Sequence, residues 1–72
     1  MNEPDAISMT LYGRPHSVPV NTSLAALVAS LGHLPNKVST AVNGLFVPRA
    51  QRDACLLQQG DAVLLFQPIV GG

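Results

Sequence analysis

From Ile7 the chain alternates: Ile7, Met9 and Leu11 fall on one face, and Ser8, Thr10 and Tyr12 on the other. A period of two predicts a half-buried strand. Gly13-Arg14 reads as a turn, after which His16, Val18 and Val20 alternate with Ser17 and Pro19. The pair predicts an N-terminal hairpin. Pro19 has no N–H to give to a ladder, so its strand is expected at a sheet edge. Residues 1–6 read as a loose leader. Leu24, Leu27, Val28 and Leu31 then recur at i, i+3, i+4 and i+7, which is one face of a helix. Asn21, Thr22 and Ser23 are candidate caps before it, and Gly32 and Pro35 are stop signals after it. The opposite face, Ala25, Ala26, Ala29 and Ser30, carries no charge.

Lys37 to Val42 is rich in β-branched residues and predicts a strand. Asn43-Gly44 is a strong two-residue hairpin signal, because both positions tolerate positive φ. Leu45-Phe46-Val47 is the returning strand, ended by Pro48. Arg49 to Gln59 reads as a short helical turn and a loop. After a Gly60-Asp61 turn, Ala62 to Gln67 is apolar on both faces, with Ala62, Leu64 and Phe66 on one and Val63 and Leu65 on the other. Such a strand is usually central. Pro68 is expected to release the chain there.

The order strand, strand, helix, strand, strand, loop, strand predicts one domain over residues 1–72. Its class is α+β, a mixed sheet of about five strands with one main helix on one face. One helix covers one sheet face, so one face of the last strand is left without cover inside this chain. There is no internal repeat and no low-complexity tract.

Composition narrows the function. Seventy-two residues with 47% apolar content make one small core and leave little room for a large internal pocket. Four basic residues against four acidic ones give no net charge, which argues against nucleic acid as a partner. Charged residues are 11% of the chain, under half the usual share, so part of the surface is neutral or apolar. The longest apolar run, Leu24 to Ala29, is far short of the roughly 20 residues a spanning helix needs. A polar, acidic start and a single cysteine, Cys55, predict a reduced cytoplasmic protein with no membrane contact.

Side-chain chemistry has little support. His16, His33 and Cys55 show no metal-ligand spacing, and no glycine-rich phosphate loop is present. A Cys55–His33 nucleophile pair lacks an orienting third residue, and Cys55 beside Leu56 and Leu57 reads as a small core hydrophobe. Asp61 after Gly60 reads as a turn residue bonding its own backbone. The terminus differs. Gly71-Gly72 is the thinnest peptide possible and can thread a channel that any side chain would block. A flexible tail over residues 69–72 spans at most about 13–14 Å when extended. Ile69 and Val70 are apolar with no local core to enter. A terminal carboxylate becomes reactive once activated, for example as an acyl-adenylate, which a thiol or sulfide can attack.

Three segments resemble one family in order and spacing. They are Leu65-Phe66-Gln67-Pro68-Ile69-Val70-Gly71-Gly72, Asn43-Gly44-Leu45-Phe46-Val47-Pro48-Arg49, and Leu57-Gln58-Gln59-Gly60-Asp61 leading into Val63-Leu64-Leu65-Phe66. From Ile7 onward the chain resembles the ThiS family, the sulfur carrier proteins of thiamine biosynthesis. The resemblance implies a ubiquitin-like β-grasp fold and a carrier rather than an enzyme. It implies that a ThiF-like adenylyltransferase uses ATP to adenylate Gly72, and that a cysteine desulfurase relay supplies sulfur to form a thiocarboxylate. Thiazole synthase then takes that sulfur. No cofactor is implied to be bound by the chain itself. Gly71, Val70 and Ile69 would give the tail access to the partner, and Phe66, Val63, Leu65, Pro68 and Arg49 are the candidate interface residues. Arg49 also reads as a solvated loop charge. The two related alternatives are the small subunit of molybdopterin synthase and a ubiquitin-like protein modifier joined to lysine through Gly72.

Overall fold

The computed structural model describes residues 5–67. The calls on the tail, Pro68, Ile69, Val70, Gly71 and Gly72, lie outside the described residues, as do residues 1–4 of the expected leader. Five strands form one mixed sheet: β1 (Ala6–Leu11), β2 (Arg14–Pro19), β3 (Ser39–Val42), β4 (Leu45–Val47) and β5 (Ala62–Phe66). Their order is β2-β1-β5-β3-β4, with β5 in the centre and parallel to β1, while all other pairs are antiparallel. One α-helix, α1 (Leu24–Ser30), lies on one face, as the hydrophobic pattern predicts.

The leader is shorter than expected. Ala6 already pairs with Pro19, and the Asp5 carbonyl accepts from the Val20 N–H at 3.1 Å. The first turn is also displaced by one residue. Tyr12 and Gly13 occupy it at φ 56° and 78°, and Leu11 faces Arg14. Two consecutive positive φ values make a type I′ turn, whose twist matches the strands it joins. Tyr12 therefore belongs to the turn rather than to the strand. Asn43-Gly44 forms the same kind of turn, at φ 54° and 82°, and sets Val42 opposite Leu45.

Both outer strands are protected. In β2 the Asp5–Val20 bond fixes the phase of the ladder, so Val18, His16 and Arg14 bond inward. The N–H groups of positions 15, 17 and 19 would point outward, and two of these three are proline. A foreign strand finds one outward donor there, at Ser17. The opposite edge, β4, is three residues long and is followed at once by Pro48.

Helix α1 starts where Ser23 Oγ accepts from the Ala26 N–H at 3.0 Å. It ends at Gly32, φ 84°, where the His33 N–H reaches the Val28 carbonyl and the Gly32 N–H reaches that of Ala29. This is a Schellman end, which satisfies carbonyls the helix leaves open. Leu24, Leu27 and Val28 are buried against Ile7, Met9, Val18, Val38, Leu57, Val63 and Leu65. The start of α1 is tied down by residues 55–57: the Leu24 N–H donates to the Cys55 carbonyl at 2.8 Å, and the Leu57 N–H to that of Thr22 at 2.9 Å.

Two segments depart from the predicted elements. Lys37 is not in a strand: Pro35–Lys37 form a 3₁₀ turn and β3 begins at Ser39. Arg49–Ala54 form a longer 3₁₀ helix, in the stretch read as a helical turn and a loop.

Replacing the cap tests how much α1 depends on it. Ser23→Ala leaves one N–H of the first turn without its side-chain acceptor and is expected to cost about 1 kcal/mol, read as a lowered urea midpoint at unchanged slope. An unchanged midpoint would show that packing alone holds the helix start.

Candidate functional site

The site begins with how β5 is set into the sheet. Just before it, Asp61 makes a short network. Its Oδ1 accepts from Asn43 Nδ2 at 3.0 Å, and its Oδ2 accepts from the Gln58 N–H at 2.8 Å. Asn43 Oδ1 in turn accepts from the Ala62 N–H at 3.0 Å, and the Asp61 carbonyl accepts from the Thr10 N–H at 2.8 Å. One carboxylate and one amide side chain thus lock the β3–β4 turn to the start of β5. Asp61 does bond within its own turn, as expected, and it also reaches across to Asn43. Gln59 Oε1 adds a bond from the Ser8 N–H at 2.9 Å.

Once β5 is placed, alternation assigns its side chains. Val63 lies opposite Leu11 and Val42, and Leu65 lies opposite Thr40; all of these face α1. Val63 is 0% and Leu65 5% exposed. The expectation that Val63 and Leu65 form an uncovered interface is therefore wrong: both are core residues. The open face is the other one. Leu64 and Phe66 are about half exposed, and Phe46 of β4 more so. Register sets Phe46 beside Ala41 and Ala41 beside Leu64, which makes an apolar row across three strands, with Phe66 beside Ser39 one step along.

Phe66 is thus the one described interface candidate that the structure keeps on this face. Leu64 and Phe46 join it, and sequence reasoning missed both. The signal was available. Phe66 and Val63 are three residues apart in one strand, so they point to opposite faces and cannot share a surface. The two-residue Asn43-Gly44 loop likewise fixes Ala41 opposite Phe46. Arg49 is exposed but sits elsewhere. It lines a depression beside α1 with Ala25, Val28, Pro35, Arg52 and Asp53, which is the helix side of the sheet.

The described residues hold a second feature that the sequence did not announce. Arg52 is 4% exposed. Its Nε donates to Thr40 Oγ1 at 3.2 Å, its Nη1 to the Pro35 carbonyl at 2.9 Å and its Nη2 to the Val38 carbonyl at 2.6 Å. All three acceptors are uncharged. Burial, and secondly the neighbouring Arg49, lower the Arg52 pKa from its usual value. A guanidinium still remains cationic at neutral pH. Thr40 is fully buried and passes the connection on, donating its own hydroxyl to the Val47 carbonyl at 2.9 Å.

Cys55 is half-buried at the margin of the core, and among the described residues no group of three or more His, Cys, Asp or Glu side chains is gathered to hold a metal. No helix among them is long and apolar enough to cross a membrane. What the site offers is a surface and a strand end: an apolar sheet face beside the point where the chain runs on from Gln67 toward Gly72.

A family profile described as the ThiS family matches residues 8–72. The chain belongs to the ThiS family. A crystal structure of the thiamine biosynthesis protein ThiS from Geobacter metallireducens superposes with a TM-score of 0.81 at 26% identity, covering 92% of this chain and all of that one. A solution structure of a thiamine biosynthesis protein from the same organism gives 0.71 at the same identity, covering 92% of this chain and 88% of that one. A designed protein templated on human erythrocytic ubiquitin gives 0.50 at 18% identity, covering 96% and 98%, which speaks to the fold alone. Together these establish the ubiquitin-like β-grasp. A thiazole synthase from Magnetococcus marinus is 36% identical over 62 residues. The matched stretch is 86% of this ThiS-family chain but 19% of that protein, so the chain spans about a fifth of the relative's length.

The two faces of β5 predict opposite mutational outcomes. Val63→Asp puts a carboxylate in the core and is expected to cost several kcal/mol, enough to unfold a domain this small. Leu64→Glu, on the open face, is expected to cost about 1 kcal/mol or less. Thermal melts followed by circular dichroism check both, and equal losses would contradict the assignment of faces.

Proposed function

We propose that this protein is a sulfur carrier for thiazole formation in thiamine biosynthesis. One observation carries the reading: the ThiS-family match extends from Ser8 in the first strand to Gly72. The similarity to part of a thiazole synthase supports the same destination for the sulfur. On this reading the chain is a co-substrate of its partners rather than a catalyst.

The chemistry belongs to the acyl carbon of Gly72. A ThiF-like adenylyltransferase directs the Gly72 carboxylate oxygen onto the α-phosphorus of ATP, and pyrophosphate leaves. The outer sulfur of a persulfide on the cysteine desulfurase relay attacks the acyl carbon and displaces AMP, giving an acyl disulfide. A second relay thiol then attacks the inner sulfur, forms a disulfide with it and releases the thiocarboxylate. Thiazole synthase then takes up that sulfur, and the carrier returns with its carboxylate restored. ATP is bound by the partner. Gly71 contributes by having no side chain, so the last residues fit a narrow channel. Val70, Ile69 and Pro68 supply the reach from the sheet to the partner's centre.

The folded body serves as the handle. Phe46, Ala41, Leu64 and Phe66 form an apolar patch that reaches the last residue of β5, so one partner can hold the patch and receive the terminus together. Arg49 lies on the helix side and contributes nothing to that patch.

Incubation with ATP and the adenylating enzyme, followed by intact-mass measurement, tests the reading. Full-length protein is expected to gain an adenylate. With the sulfur relay added, it should gain the mass change of one oxygen replaced by sulfur. Deleting Gly72 is expected to abolish both while leaving the melting temperature unchanged. Sulfur loading in the truncated protein would contradict the proposal. A ladder of lysine-linked products would point to the modifier alternative.

A further inference from the structure

The register of β5 shows that its two halves are held differently. Val63 is paired on both sides, with Leu11 of β1 and Val42 of β3, and Ala62 is paired with Thr10 of β1 and bonded to Asn43 just beyond β3. Beyond Val63, β1 turns away at Tyr12-Gly13. Leu64, Leu65 and Phe66 then have register partners in β3 alone, at Ala41, Thr40 and Ser39. The Asn43 N–H donates to the Ala62 carbonyl at 2.7 Å, which sets the phase of this ladder and makes Ser39–Phe66 a hydrogen-bonded pair. Phe66 is the last strand residue before the chain continues to residues 68–72. The placement of that strand end therefore depends on the leading end of β3.

Arg52 is what holds the leading end of β3. The two backbone carbonyls it grips, Pro35 and Val38, lie just ahead of Ser39, and its third acceptor, Thr40, lies just after. A planar guanidinium presents its donors in a fixed fork and so fixes three acceptors relative to one another, which a flexible ammonium does not. We infer that Arg52 is a positioning residue for the transfer reaction: by clamping Pro35, Val38 and Thr40 around Ser39, it sets the place and direction from which the chain leaves β5 toward Gly72. It touches neither substrate nor partner. Its effect passes through Ser39 to Phe66. The inference rests on the carrier reading above.

The test compares three variants with wild type. Arg52→Met removes the donors, Arg52→Lys keeps the charge without the fork, and Val18→Ala loosens the core at the far edge of the sheet as a control for lowered stability. Two quantities are read: amide hydrogen exchange at Ser39 and Phe66 in the protein alone, and kcat and KM for adenylation at saturating ATP. Arg52→Met is expected to speed exchange at Ser39 and Phe66 at least ten-fold more than Val18→Ala does. It is also expected to lower kcat about ten-fold, with KM for the carrier within two-fold because the docking patch is intact. Arg52→Lys is expected to fall between Arg52→Met and wild type, and it supplies the comparison should Arg52→Met fail to fold. Arg52 variants that match Val18→Ala in both quantities overturn the inference, because they show a residue serving stability alone. Wild-type protein that is never adenylated overturns the carrier reading, and this inference with it.

Discussion

The constraint on which the molecule depends is the double duty of β5. It is the central strand, so one of its faces must close the core, and Val63 and Leu65 do so beneath α1. The described residues hold one α-helix, and it covers one face. The other face of the same strand is consequently left with Leu64 and Phe66 against water. Neither face could be polar without cost: the inner one would lose the core, and the outer one would lose the apolar patch that continues through Ala41 to Phe46. The low charge content of the chain follows from the same arrangement, since a sizeable part of the surface is apolar by position.

The strand that closes the core is also the one from which the chain runs on toward Gly72, so the core and that strand end are coupled through one ladder. The coupling is asymmetric. The entry of β5 is pinned by the Asp61, Asn43 and Gln59 bonds and is flanked by two strands. The exit is flanked by β3, and β3 is held by a buried arginine whose acceptors are all neutral. An arginine taken out of water without a carboxylate is an expensive device unless its donors find good acceptors, and here backbone carbonyls and a threonine hydroxyl serve that role.

Most of the fold was legible because its signals are local. The alternation of Ile7, Met9 and Leu11, the i, i+3, i+4, i+7 spacing of Leu24 to Leu31, and Asn43-Gly44 each depend on a few neighbouring residues. The displaced first turn was not legible, since Tyr12 adopts a positive φ that side chains of its kind seldom take. The choice of outer face on β5 was hidden for a different reason. Both faces are equally apolar, so composition does not separate them, and register with β1 and β3 decides. Arg52 was invisible because its role is tertiary: it joins residues 12 to 17 positions away, and on paper it is one more loop cation. The family was legible from the order and spacing of three segments, the Gly71-Gly72 end among them, and not from periodicity.

Under the proposed function, the open sheet face is the surface by which partners hold this chain. A titration of isotope-labelled protein with the adenylating enzyme, followed residue by residue through amide chemical shifts, tests this most directly. Ala41, Phe46, Leu64 and Phe66 should shift or broaden first, while Ala25, Ala26 and Ala29 on the outer side of α1 stay where they are. Perturbation centred on α1, with the Phe46–Leu64–Phe66 row unaffected, would contradict it.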